Sequence, residues 1–240
     1  MKKIKKFGFT LVEVMIALAL VGVISALTIP NIGTSINEKM RLSQFKAAYS
    51  MLETALQNAT SEKGAPYACY MQVGIEDDGK KYGVASFAGA SNAGCAEFKK
   101  VFLKNLGVSH SCEANPTDEG CLPANYPEPD SNCSQFKPLK SKTKAYVLDN
   151  SMILIVSSSG MREFAIDVNG KKAPNKWGQD IFTFQVKSTE AAKIGNKTFV
   201  TATAIMPPST GYCLPGHTNN PKKGDPKSSD QMWMEMVGAR

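Results

Sequence analysis

Met1-Lys2-Lys3-Ile4-Lys5-Lys6-Phe7-Gly8-Phe9-Thr10-Leu11-Val12-Glu13-Val14-Met15-Ile16-Ala17 opens the chain, and the way this stretch divides decides what kind of molecule follows. Four lysines precede Gly8, and from Phe9 to Ile29 the sequence is almost wholly apolar, interrupted by Thr10, Glu13, Gly22, Ser25 and Thr28. About 20 residues at about 1.5 Å each cross the hydrocarbon core, so residues 9–30 are expected to span a membrane once. The lysines hold the start of the span on the cytoplasmic side and send the rest of the chain outward. An ordinary export signal is cut behind its apolar region at small residues. Behind Ala26 that pattern is poor, because Ile24 stands two positions earlier and Pro30 follows closely. A cut between Gly8 and Phe9 instead removes the lysines and keeps the helix.

Glu13 bears on the choice. An ionised carboxylate at the centre of a bilayer costs roughly 2.5–3.5 kcal/mol and needs a partner or a function. No basic residue follows it before Lys39. The cation able to lie at its depth is the α-amine that a cut before Phe9 would free, one helical turn away on the same subunit or on a neighbour. The simpler alternative is a tolerated polar residue in a plain anchor helix.

Gly8-Phe9-Thr10-Leu11-Val12-Glu13-Val14-Met15-Ile16-Ala17 resembles the cleavage and methylation motif of type IV prepilins and type II secretion pseudopilins. The resemblance covers about the first 60 residues. It implies that a prepilin peptidase cuts after Gly8 and methylates the amine of Phe9. It also implies that Glu13 meets the amine of an adjacent subunit and sets its axial register. Gly22 and Pro30 match positions where helices of this family loosen or kink. Proline removes one backbone hydrogen bond, so a bend near residues 26–30 is expected.

Beyond the span, Leu42, Phe45, Tyr49, Leu52 and Leu56 recur at steps of three and four among charged residues, the pattern of an amphipathic helix. Gly64 and Pro66 should end it. A helix over roughly 9–62 would be about 80 Å long, too long for one compact domain, so one half must bury itself in membrane or in neighbouring subunits.

Residues 65–144 are rich in Gly, Ser, Asn and Pro and read as loop, apart from a helical pattern over 97–106. From Ala145 the pattern becomes strands at 145–148, 152–156, 162–168, 181–187 and 198–205, joined by hairpin turns that include a type I′ turn at Asn169-Gly170. Residues 207–240 read as an irregular tail with a short helix at 232–237. The expected class is therefore α+β: a leader (1–8), a span (9–30), an amphipathic helix (31–64), a cysteine-rich loop region (65–144), an antiparallel sheet (145–206) and a tail. The helix should pack on the sheet as in a pilin head.

Cys69, Cys95, Cys112, Cys121, Cys133 and Cys213 all follow the apolar segment, and none forms a C-x-x-C pair. An even number of separated cysteines behind an export signal reads as disulfides made in an oxidising compartment. Of the 15 possible connectivities, the preferred one is Cys69–Cys95, Cys112–Cys121 and Cys133–Cys213. Between Asp167 and Asp180, the oxygen-bearing Asp167, Asn169, Asn175 and Asp180 form a candidate calcium site. Some pseudopilins bind calcium late in the sheet, but EF-hand spacing fails because Lys171 holds the fifth position. The alternative is an ordered loop with Trp177 packed beneath it. No cofactor is otherwise required.

The formal charge of +7 falls to +3 once the leader lysines are removed, which leaves nucleic-acid binding a weak basis. The two histidines, His110 and His217, lie in no nucleophile or metal motif, so no catalytic residue is expected. The leading expectation is a structural subunit, a minor pilin or pseudopilin. Its partners would be other pilin subunits, a prepilin peptidase and an inner-membrane assembly platform, and it would reside in the membrane before assembly into an extracellular pilus or periplasmic pseudopilus. The alternatives are a tip pilin whose head binds a surface, DNA or an exported protein, and a singly anchored periplasmic protein that never polymerises.

Overall fold

A computed structural model of the chain describes residues 10–63, 93–129, 133, 136–137, 139, 143–157, 163–194, 197–208, 213–214 and 225–238. The chain divides into two compact units, residues 1–40 with 222–224 and residues 41–221 with 225–240.

The described part of the first unit is helical. Helix α1 (Leu11–Lys63) begins there and supplies its last turns to the second unit. Pro30 lies inside the helical segment, where it removes one hydrogen bond without ending the helix. Among the described residues no helix is long and apolar enough to cross a membrane. The described side chains of the apolar run are those of 10–24, whereas the run itself continues to Ile29. The expected cap at Gly64 and Pro66 lies outside the described residues.

In the second unit, α1 buries Phe45, Ala48, Leu52, Ala55, Leu56 and Ala59, with Leu42 and Tyr49 half-buried at the margin. The alanines alternate with the large side chains along the stripe, so the helix backbone can approach the sheet while phenylalanine and leucine fill the space between. Phe45 stands edge-on to Phe182 at 5.1 Å and stacks on Phe184 at 5.2 Å, both favoured aromatic arrangements. Helix α2 (Ala93–Asn105) adds Phe98, Val101 and Phe102 to the same core.

The sheet is a meander of six antiparallel strands in sequence order: β1 (Val108–Cys112), β2 (Thr143–Leu148), β3 (Ile153–Ser157), β4 (Glu163–Asp167), β5 (Ile181–Ile194) and β6 (Lys197–Met206). Alternate residues serve opposite faces, as the pleat requires. Tyr146, Leu148, Leu154, Val156, Phe164, Ile166, Phe182 and Phe184 face the helices. Ala145, Ile153, Ile155, Ala165 and Ile181 face a second core. That second core is closed by Leu122, Tyr126, Phe136, Leu139 and Trp177 with Cys112, Cys121, Cys133 and Cys213. The cysteine-rich segment is thus a third layer that covers the far face of the sheet.

Three expectations change. Strand β1 lies inside the segment read as loop. It is an edge strand with Ser109, His110 and Ser111 exposed, so it shows no apolar alternation, and pairing with β2 rather than sequence pattern makes it a strand. Strand β5 runs to Ile194 rather than Lys187, because beyond Gln185 it pairs with β6 and no longer with β4. With a neighbour on one side only among the described residues, its outer half is under less demand for apolar residues. The type I′ turn at Asn169-Gly170 is absent: Gly170 is left-handed (φ +67) and Asn169 is not, whereas that turn requires both. A loop over 168–180 joins β4 to β5 instead, with Trp177 buried beneath it as expected.

The tail carries α3 (Ser229–Val237), three residues earlier in its start than the sequence suggests. The Ser228 N–H donates to Gln231 Oε1 at 2.9 Å, and Gly238 ends the helix in a left-handed conformation. Met232 is buried in the helix-side core, and Ser229 Oγ accepts the Thr183 N–H at 2.7 Å, which docks the helix on β5.

Candidate functional site

Three groups of residues carry the functional expectations. The first is the N-terminal helix. Gly8 and Phe9 lie outside the described residues. From Leu11 to Ile24 the large apolar side chains are exposed, Leu11 at 77 % and Leu18 at 67 %, and a Cβ on Gly22 would meet nothing within 4 Å. Such a run of exposed large apolar side chains is a surface suited to burial by lipid or by other chains. Glu13 sits in the first turn and is held by Thr10. The Thr10 N–H and hydroxyl both donate to Glu13 Oε2, at 2.8 and 2.9 Å, and the Glu13 N–H donates back to Thr10 Oγ1 at 3.2 Å. This is a capping box, and its sequence signature is Thr10-x-x-Glu13.

The second group is the cysteines. Cys112–Cys121 and Cys133–Cys213 are disulfides, with Cα–Cα separations of 6.2 and 4.9 Å. Cys69, and with it the expected Cys69–Cys95 bridge, lies outside the described residues. His110 Nε2 lies 3.2 Å from the Glu119 carbonyl oxygen and close to Cys112 and Cys121. The bridge between those two sulfurs removes both as thiolate ligands, so this trio is not a metal centre. Inside the Cys112–Cys121 loop the Glu119 carboxylate accepts the N–H groups of Glu113, Ala114 and Asn115 at 2.9–3.0 Å. Those bonds, the one to Asn115 foremost, hold it below the usual carboxylate range. His217 lies outside the described residues.

The third group is the loop between β4 and β5. Asp180 Oδ2 accepts the Asn175 N–H at 2.8 Å and Asn169 Nδ2 at 2.9 Å, while Asp180 Oδ1 accepts the Lys176 N–H at 2.5 Å. Asp167 is fully buried, accepts the Asn169 N–H at 3.2 Å, and receives the Tyr126 hydroxyl at 2.6 Å. Burial, reinforced by the nearby Asp180 charge and opposed by the Tyr126 hydrogen bond, pushes the Asp167 carboxyl up to about 7. Burial also raises Asp180, against its backbone hydrogen bonds. One terminal atom of the Asn175 carboxamide lies 2.9 Å from Lys172 O, 3.0 Å from Gly170 O and 3.2 Å from Asp167 Oδ2. If that atom is the amide nitrogen, its two hydrogens are shared among the three oxygens and the Asn175 carboxamide is satisfied. If it is the oxygen, four oxygens face one another and a cation is needed between them. Asn169 Oδ1 is also buried without a partner among the described residues. A Cβ on Gly170 would lie 2.1 Å from Ser151 O, so glycine is required for this turn to sit against the β2–β3 connection.

All four expected oxygen-bearing residues therefore come together. The carbonyls of Gly170 and Lys172 and the hydroxyl of Tyr126 were not foreseen. Tyr126 is 41 positions from Asp167, and nothing local in the sequence marks it.

The family described as the prokaryotic N-terminal methylation motif matches residues 3–29. No curated protein and no solved structure matches the chain. Proteins that carry this motif are structural rather than catalytic, and the motif implies processing by a prepilin peptidase and assembly with other pilin subunits. The chain carries the prepilin signal of type IV pilins and pseudopilins, and with it the marks of a membrane-anchored precursor that later enters a pilus or pseudopilus.

Proposed function

We propose that this protein is a minor pilin or pseudopilin of a type IV pilus or type II secretion pseudopilus, inserted in the bacterial inner membrane as a precursor and assembled by helix packing. The observation that carries this is the prepilin signal on a helix whose described apolar side chains, from Leu11 to Ile24, are exposed. The head, in contrast, is closed on both sheet faces and buries its own apolar residues. The division is that of a filament subunit, in which the helix supplies the joint and the head is self-sufficient. The added cysteine-rich layer is more than covering the helix requires, and it supports a minor or tip subunit over a bulk one. Its partners are other pilin subunits, the prepilin peptidase and an inner-membrane assembly platform, and it works without catalysis of its own.

The processing step is checked by co-expression with a prepilin peptidase and mass measurement of the N-terminus. Residues 1–8 should be lost and one methyl group added at Phe9, and Gly8→Leu should block the cut almost completely. A wild-type N-terminus left at Met1, or one generated behind Ala26, would sink the reading.

The β4–β5 loop supports calcium as a ligand of the head. Asp167 and the carbonyls of Gly170 and Lys172, joined by the Asn175 carboxamide when its oxygen faces inward, are hard oxygen donors in the variety calcium takes, and a bound cation would compensate two buried carboxyls. Calcium at a hundredfold its dissociation constant should raise the stability of the full-length protein by about 2.7 kcal/mol, read as a shift in thermal unfolding. Asp167→Asn should abolish the shift. Because the folded state raises the Asp167 pKa from 3.8 to about 7, its contribution without calcium is full below about 4 and is lost as pH rises through about 7. The calcium shift should grow over that window. An unfolding midpoint indifferent to calcium would mean that the Asn175 amide nitrogen faces inward and the loop is complete without a metal.

A further inference from the structure

The sequence offers Glu13 no cation at its depth until the leader is removed, yet the precursor must enter the membrane before that happens. In the uncleaved chain the carboxylate is already engaged, with Thr10 supplying its backbone N–H at 2.8 Å and its hydroxyl at 2.9 Å, both to Oε2. The return bond from the Glu13 N–H to Thr10 Oγ1 at 3.2 Å and the first helical bond from the Val14 N–H to the Thr10 carbonyl fix the same turn. We propose that Thr10 is a positioning residue that holds the Glu13 carboxylate in this capping box while the leader is still attached, and so lets the precursor carry an acid into the bilayer. This rests on the anchor reading given above.

Three physical reasons converge. Hydrogen bonds to a carboxylate are stronger than those between neutral groups. An acid in the first turn also meets the positive end of the helix dipole. In hydrocarbon, finally, no water replaces a donor that is lost. Both donors belong to one residue, so the box forms within one chain and at any concentration, unlike a pair that needs a neighbouring subunit.

The test uses the full-length precursor in cells lacking prepilin peptidase and measures the fraction that resists alkaline extraction from membranes. Thr10→Val keeps the β-branched shape and removes the hydroxyl, and it should lower the ratio of inserted to extracted precursor about tenfold. Thr10→Ser should insert like wild type. In the double variant Thr10→Val/Glu13→Gln insertion should recover, because no carboxylate remains to be held. Wild-type insertion by Thr10→Val, failure of Thr10→Ser, or a deficit that persists in the double variant would each overturn the proposal. A wild-type precursor that itself stays out of the membrane would overturn the anchor reading instead.

Discussion

Glu13→Ala should leave the precursor in the membrane with its leader removed, and yet reduce filament assembly by roughly a hundredfold or more. Loss of the carboxylate makes insertion easier, since roughly 2.5–3.5 kcal/mol of burial cost disappears. Assembly responds in the opposite direction. The proposed cleavage before Phe9 would create an ammonium group, and packing the helix among its neighbours would take that charge into an apolar environment. Glu13 Oε2 is occupied by Thr10, and no bond to Oε1 is made among the described residues, so the capping box leaves one carboxylate oxygen for an amine. Removing one partner of a buried ion pair costs about 3–5 kcal/mol, because the other charge is stranded. At about 1.4 kcal/mol per factor of ten, that is two orders of magnitude or more for each subunit added. The measurement is the ratio of protein in sheared filaments to protein in the membrane fraction. Normal filaments from Glu13→Ala would remove the register role assigned to this residue and leave it a tolerated polar group.

The second large effect is expected in the head. Breaking Cys133–Cys213 with a double serine substitution should lower stability by about 4.5 kcal/mol, and breaking Cys112–Cys121 by about 2.6 kcal/mol, on a chain-entropy reckoning from separations of 80 and 9 residues. The long bridge ties the cysteine-rich layer to the tail across the sequence of strands β2 to β6. Both of its sulfurs lie in the second core beside Phe136 and Trp177, whose rings are 6.0 Å apart. Its loss therefore frees one layer of the head as well as a loop. The Cys112–Cys121 loop keeps its Glu119 hydrogen bonds when the bridge is gone, which should soften that loss further. Urea midpoints of the two double variants against wild type, under non-reducing conditions, decide the order. Equal midpoints, or a larger loss from the shorter bridge, would show that the tail does not clamp the third layer.

Much of the N-terminal half is legible because its determinants are local. The apolar run, the lysines before Gly8 and Glu13 within it are neighbours in sequence, and they say the same thing with or without a fold. The amphipathic stripe is legible for the same reason, although Ala48, Ala55 and Ala59 are as buried as Phe45 and were not among the residues that marked it. Five strands were placed from alternation and turn residues. Their faces were not, and the signal was present: Ile153-Leu154-Ile155-Val156 is apolar without alternation, the mark of a strand covered on both sides. The third layer follows from that run once it is read so.

The β4–β5 loop divides the same way. Asp167, Asn169, Asn175 and Asp180 are close enough in sequence to be suspected together. The hydroxyl from Tyr126 and the carbonyls of Gly170 and Lys172 become neighbours only when the cysteine-rich layer lies across the sheet and Gly170 turns left-handed against Ser151.

The sequence by itself determined the prepilin signal, the apolar helix that follows it and the acid within it, because hydrophobicity, charge and helical period act over a few residues and need no partner from afar. Only the tertiary structure decided that β1 is a strand, that the sheet is buried on both faces and which oxygens meet at the β4–β5 loop. Those outcomes depend on contacts between residues tens of positions apart, whose free energy exists only once the chain between them has folded.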